Sequence, residues 1–335
     1  MNKVIQKIAF LSVATLLLVA CGGKTMTGKP GSSGKTLELM IVSPSSLYSG
    51  STRTVLDSLF ATPQVGLNQI EPRFDVVQIA PSSFNGNTMF QAHRNILILE
   101  IDPQGLNKVY RKQDQWSQPQ VVIRVTATDR GTLDSLLLAN GSRLLEEYYA
   151  QEYRRMDKVF SQTPAVKIKQ KIKECYGFTL SIPEEYTLAK QQDGFMWIRK
   201  EAKDFGLQLY IQSLPVEGQP SLEEAAILDR IDTMLHRYVP GPSEGSYPGV
   251  ERRDFFYSRP VTLANLDAVE TRGLWRTYND YMGGPFVAYS FISADRQQLI
   301  TLMGCVFSPS QRNRMVMKRD LLMQLDGICR SIRFE

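Results

Sequence analysis

Histidine is close to absent from this sequence: 335 residues carry two, His93 and His236. Histidine is the commonest general acid or base, so acid–base chemistry has few starting points here. No C-x-x-C, H-E-x-x-H, G-x-G-x-x-G or P-loop occurs. Those absences exclude the usual redox-dithiol, zinc-hydrolase, dinucleotide and phosphate-cradle signatures. Cysteine is scarce as well. Of four, Cys175, Cys305 and Cys329 remain once Cys21 is set aside, and they lack the short spacings of a zinc site. The chain is expected to hold no metal, nucleotide or other cofactor. An excess of one charge is also missing, with 39 basic against 34 acidic residues and a net charge of +5. That balance gives no footprint for nucleic acid. The adjacent carboxylates Glu184-Glu185 and Glu223-Glu224 diverge on either a strand or a helix, so neither makes an acid–base pair. The chain therefore reads as a non-enzyme. Its 43% hydrophobic and 22% charged residues are those of a globular protein.

What is present starts at Leu18-Val19-Ala20-Cys21. Lys3 and Lys7 precede an uncharged run over residues 8–20. Thirteen residues are too few to cross a bilayer, which takes roughly 20, but they suit the apolar core of a secretory signal. Aliphatic and small residues directly before a cysteine resemble a bacterial lipobox. That resemblance implies cleavage before Cys21 and a diacylglyceryl group on its thiol. Two or three acyl chains hold a protein on a membrane where one does not. Gly22-Gly23-Lys24 follows with no Asp after the cysteine, which by lipoprotein sorting rules implies the outer membrane, facing the periplasm. Residues 1–20 are then the signal peptide, and removing them lowers the net charge to +3. Residues 21–35, rich in Gly, Ser, Thr and Lys, read as a flexible tether reaching on the order of 20 Å.

The fold class expected is α+β in two domains, 36–163 and 164–335. In the first, strands fall at 36–42, 74–79, 95–101 and 120–126. Helices fall at 51–60 and from a cap at Thr128 or Asp129 to Pro164. This predicts a four-stranded α/β-type domain. Lys167, Lys169, Lys171 and Lys173 stud residues 165–174, read here as helix or linker after Pro164. The second domain has strands near 177–183, 186–190, 195–200 and 206–212. A helix follows over 221–238, opened by the capping box Ser221-Leu222-Glu223-Glu224. Strands near 251–258, 267–277, 285–293 and 297–307 and a helix over 310–330 complete an antiparallel sheet with packed helices. That last helix, running back along its sheet, keeps Cys329 from Cys305. All three thiols are expected to be reduced and buried.

The one cluster with the makings of a site is His93-Arg94-Asn95, at the mouth of the apolar strand 95–101. Glu71, Phe74, Trp116 and Gln120 are expected to join it as a ligand-binding patch, with Glu71 near His93 and Arg94. The alternative is an Arg94–Glu71 pair that only fixes a loop. Trp116, Trp197 and Trp275 offer rings for a glycan, or else fill cores. No residue is assigned a catalytic role.

The lipobox, with EPRF at 71–74, HRNIL at 93–97, WSQPQ at 116–120 and GFTLSIPEEY at 177–186, resembles a family of uncharacterised bacterial envelope lipoproteins, a domain of unknown function. The second half also resembles the antiparallel α+β fold of PsbP/Mog1-type proteins. The resemblance implies a place and a fold without an activity. The function expected is that of a lipid-anchored envelope protein, non-enzymatic, that binds or scaffolds. A glycan- or small-molecule-binding lipoprotein is the alternative, and a hydrolase comes third. Its partners would be the membrane, through the N-terminal lipid, and an envelope protein or glycan.

Overall fold

A computed structural model describes residues 28–192, 194–218, 220–295, 297–309 and 317–334. Cys21 and the expected signal peptide, residues 1–20, lie outside the described residues.

The N-terminal domain is built from β1 (Glu38–Val42), α1 (Gly50–Leu56, continued by a π turn over Asp57–Ala61) and β2 (Asp75–Ile79). It continues through α2 (Pro81–Phe84), α3 (Thr88–Gln91), β3 (Asn95–Ile101), β4 (Lys108–Gln113), β5 (Val121–Ala127) and α4 (Arg130–Phe160). The sheet order is β2-β1-β3-β5-β4, parallel except for β4. Five strands thus replace the expected four. The missed strand, KVYRKQ, is an exposed edge with three cations. Its charges protect the edge from further pairing and erase the apolar signal. The central strand NILILEI is apolar from Ile96 to Leu99 because both of its faces are covered there. Leu97 and Leu99 join a core under α1 and α4, while Ile96 and Ile98 join Phe84 and Phe90 of α2 and α3 on the other side. Asp129 caps α4, its carboxylate accepting from the Thr132 amide at 2.9 Å.

The end of the expected tether is docked. The Ser33 amide donates to the Ala92 carbonyl (2.9 Å), and the Gln118 amide donates to that of Pro30 (2.9 Å). A polar, glycine-rich stretch buries little, but its backbone satisfies donors and acceptors at the amino ends of β3 and β5.

The C-terminal domain opens with α5 (Val166–Tyr176). Ile168 and Ile172 face the core, and Gly177 closes the helix in the left-handed conformation (φ 74°). Its strands are β6 (Phe178–Thr179), β7 (Thr187–Gln192), β8 (Phe195–Glu201), β9 (Gly206–Pro215), β10 (Tyr247–Val250), β11 (Tyr257–Leu263), β12 (Leu266–Tyr278), β13 (Gly283–Ile292), β14 (Gln298–Phe307) and β15 (Arg333–Phe334). Helix α6 (Glu224–Tyr238) precedes β10, and α7 (Lys318–Arg330) precedes β15. The eight-stranded antiparallel sheet runs β10-β12-β13-β14-β9-β8-β7, and β11 pairs the first half of β12. β6, expected as a full strand, is two residues paired with β15. The capping box does not form. α6 starts at Glu224, and the Ser221 hydroxyl accepts only from the Glu223 amide (3.2 Å).

Both faces of this sheet are covered. Leu209, Ile211, Val287, Tyr289 and Leu302 lie under α5 and α7; Tyr210, Phe286, Met303 and Cys305 lie under α6. Alternation along β14 therefore separates Cys305 from Cys329, which packs with the first set. Among the described residues Cys175, Cys305 and Cys329 are free. Cys175, expected to be buried, is exposed on α5.

Candidate functional site

The run His93-Arg94-Asn95 turns into the protein at the amino end of β3. His93 Nε2 lies 3.0 Å from Glu38 Oε2, and Nδ1 lies 3.0 Å from the Asn95 carbonyl oxygen. Arg94 donates to Glu152 (2.9 Å) and to the Gly34 carbonyl (2.6 Å); Asn95 Nδ2 donates to Glu152 (2.8 Å). Glu152 comes from α4 and is buried. Gln120 joins from the side, its Nε2 donating to the carbonyls of Gln91 (2.6 Å) and His93 (2.7 Å). Burial would raise the Glu38 carboxyl, but the Lys35 amide and His93 hold it below the usual carboxylate range. These groups stitch β1, β3, α4 and residues 28–35 together and use most of their donors on one another. A Cβ at Gly34 (φ 95°) would lie 2.5 Å from the His93 ring, so the latch closes only over glycine.

The other expected members sit elsewhere. The Glu71 carboxylate accepts from the amides of Lys318 (3.1 Å) and Arg319 (2.7 Å), capping α7 of the other domain. Arg94 therefore pairs with Glu152 and not with Glu71. Phe74 is core, edge-on to Phe60 and Tyr148 at ring distances of 6.0 and 6.1 Å. Trp116 packs against Phe84 (5.4 Å) on the opposite face of the sheet. Trp275 is buried and Trp197 donates to Gln208, so the three tryptophans form no common platform.

The sequence also carries a motif with a catalytic spelling, close after His236. Gly241-Pro242-Ser243-Glu244-Gly245 matches G-x-S-x-G. It lies in the loop between α6 and β10, not on a strand-to-helix turn. The Ser243 hydroxyl donates to Asp280, and the His236 ring rests on Tyr247 at 4.1 Å.

A dense cluster of charge lies between the domains, around a cleft of about 490 Å³. α4 contributes Tyr149 and Tyr153, β11 Tyr257 and Arg259, β12 Glu270 and Arg272, and α7 Asp326 and Arg330. Arg272 reaches Glu270 at 2.6 Å and also binds Asp326. Arg330 binds Glu270 at 2.6 Å and Asp326 at 3.1 Å, and Arg259 binds Glu270 at 3.0 Å. Tyr153 and Tyr289 donate their hydroxyls to Asp326. Burial would raise the Asp326 carboxyl. Arg272 foremost, then Arg330 and the two tyrosines, instead hold it down at about 2. Glu270 is lowered by the same cations against the same burial. Both carboxylates thus stay ionised and committed to guanidinium partners, which suits holding charge in place and not passing a proton. Sequence reading passed over this cluster, although a signal was there. Ala268, Glu270 and Arg272 share one face of β12, and Ala268 packs in the core. Two charges therefore stand in the core phase of a strand.

Residues 32–161 match DUF8532, a domain of unknown function, and residues 165–331 match DUF4837, another domain of unknown function. No curated protein matches the chain.

Proposed function

We propose that this chain is a lipid-anchored, non-enzymatic binding protein of the bacterial cell envelope, with the interdomain cleft as its ligand site. The cleft is the observation that carries the binding half. Its volume falls within the roughly 300–1,000 Å³ of small-molecule sites, and it joins tyrosine rings to converging polar groups at a domain boundary. That favours small-molecule binding over a bare scaffold. The committed carboxylates, and a G-x-S-x-G serine bonded to Asp280 and not to a histidine, support leaving hydrolysis aside. The anchoring half rests on Leu18-Val19-Ala20-Cys21 and on the resemblance to envelope lipoproteins. With Gly22 after the cysteine, the outer membrane's periplasmic face is the destination proposed. The antiparallel sheet covered by helices supports the PsbP/Mog1-type likeness of the second half, which carries no activity.

The anchor is tested by Cys21→Ser. The variant is expected in the soluble fraction and unlabelled by a fatty-acid analogue. A serine variant that still sediments with membranes and takes the label would defeat the anchoring proposal.

A further inference from the structure

The cleft holds more cation than its own carboxylates use. Arg259, Arg272 and Arg330 share Glu270 and Asp326, three guanidinium charges on two carboxylates. Arg319 on the same wall is matched separately by Asp75 and Asp320. Glu146, the remaining acid on the lining, is exposed to solvent on α4. Arg73 is different from all of these. It is half-buried on the N-terminal domain's side of the cleft and has no ion pair or side-chain hydrogen bond among the described residues. The Tyr257 hydroxyl, on the opposite domain's side, is likewise without a partner among them.

The interdomain network does not need these two groups. Tyr153, Arg272, Asp326 and Arg330 satisfy one another across the boundary, and Glu71 caps α7. Arg73 and Tyr257 are left as donors lining a space of small-molecule size. Leu145, Val65 and the tyrosine rings give that space apolar walls, beside the polar Gln64 and Ser142. A guanidinium in a half-buried site is costly to leave unpaired, and its planar fork fits two oxygens of one acid group.

We propose that the cleft takes a small organic oxyanion. Its acid group is held by Arg73, with the surplus charge around Arg259 behind it, and its apolar or ring-bearing body lies against Tyr149, Tyr257 and Leu145. This deepens the binding function proposed above and rests on it.

The test uses the detergent-solubilised mature protein and two probes of one shape, benzoate and the uncharged benzamide, followed by ligand-observed NMR. Benzoate binds and benzamide binds about tenfold more weakly, the worth of one charge-assisted contact. Arg73→Gln weakens benzoate by about the same factor and leaves the unfolding midpoint unchanged, since Arg73 has no ion pair to lose; Arg73→Lys, keeping the charge, restores part of it. Equal binding of the two probes, lost together in Tyr257→Ala, would overturn the oxyanion while leaving a cleft that binds. Benzoate binding that Arg73→Gln does not touch would overturn it too. If neither probe binds, the oxyanion and the cleft's binding role both fall.

Discussion

Asp326 ties a buried charge cluster of the second domain to Tyr153 of the first. It is buried, and its oxygens receive Arg272, Arg330, Tyr153 and Tyr289. Removing one partner of a buried charge cluster leaves the others desolvated, at a cost of about 3–5 kcal/mol. Asp326→Asn is expected to destabilise the chain by that amount in urea denaturation. The pH dependence has a definite sign. A carboxyl held down at about 2 in the folded state adds stability that is complete above the ordinary carboxylate range and disappears as pH falls through that value. Wild-type stability therefore drops between about pH 4 and about pH 2, and the asparagine variant loses that part of the slope. None of this was legible around His93, where the sequence pointed. A histidine, an arginine and an asparagine in a row look like a site, but the partners that use them, Glu38 and Glu152, come from β1 and α4. Glu71 was misread for the same reason. Its partner amides lie 247 and 248 residues further along, on α7, a distance that no local pattern spans.

At the scale of elements, the strands that bury both faces were legible, as were the edges β2 and β7, but the charged edge β4 was not. NILILEI announces itself; KVYRKQ, half of whose residues are charged, does not. The long helix α4 was legible from its apolar spacing and its aspartate cap. Helix α7 shows what packing adds to such patterns. It lies on β14 through Gly304, where a Cβ would come within 2.6 Å of Leu325 Cβ. That atom sits next to the helix backbone and cannot swing aside as a side-chain tip would. Gly304→Ala is expected to lift α7 from the sheet and cost about 1–3 kcal/mol, as overpacked cores do. The shift is read as a lower urea midpoint with the slope unchanged. A wild-type midpoint would mean that the helix has room to move.

At the scale of the molecule, α7 belongs to both domains. Met323 packs in the core of the first, while Leu322, Leu325 and Ile328 pack in that of the second. Arg319, almost fully buried, reaches Asp75 at the head of β2 (3.0 Å) and the Pro72 carbonyl (2.6 Å). The chain is therefore expected to unfold in one calorimetric transition despite its two domains. Glu71→Gln weakens the cap on α7, because an uncharged amide interacts less with the helix dipole than a carboxylate does. Combined with Tyr153→Phe, it is expected to split that transition in two. A wild-type trace that already shows two peaks would mean that the domains are independent. Sequence periodicity recovers most strands of the two larger sheets, but not this sharing, since an amphipathic helix does not say how many cores its faces serve.

The docked residues 28–35 bear on where such a protein works. Taken as free tether, the stretch after Cys21 would let the domains roam. With Ser33 and Pro30 fastened to the amino ends of β3 and β5, only the seven steps from Cys21 to Gly28 separate an acylated cysteine from the folded body. At full stretch they cover at most about 25 Å. With the lipid proposed at Cys21, the protein would be moored short, the amino edge of its first sheet towards the bilayer, and would sample solutes and partners in the layer next to that membrane.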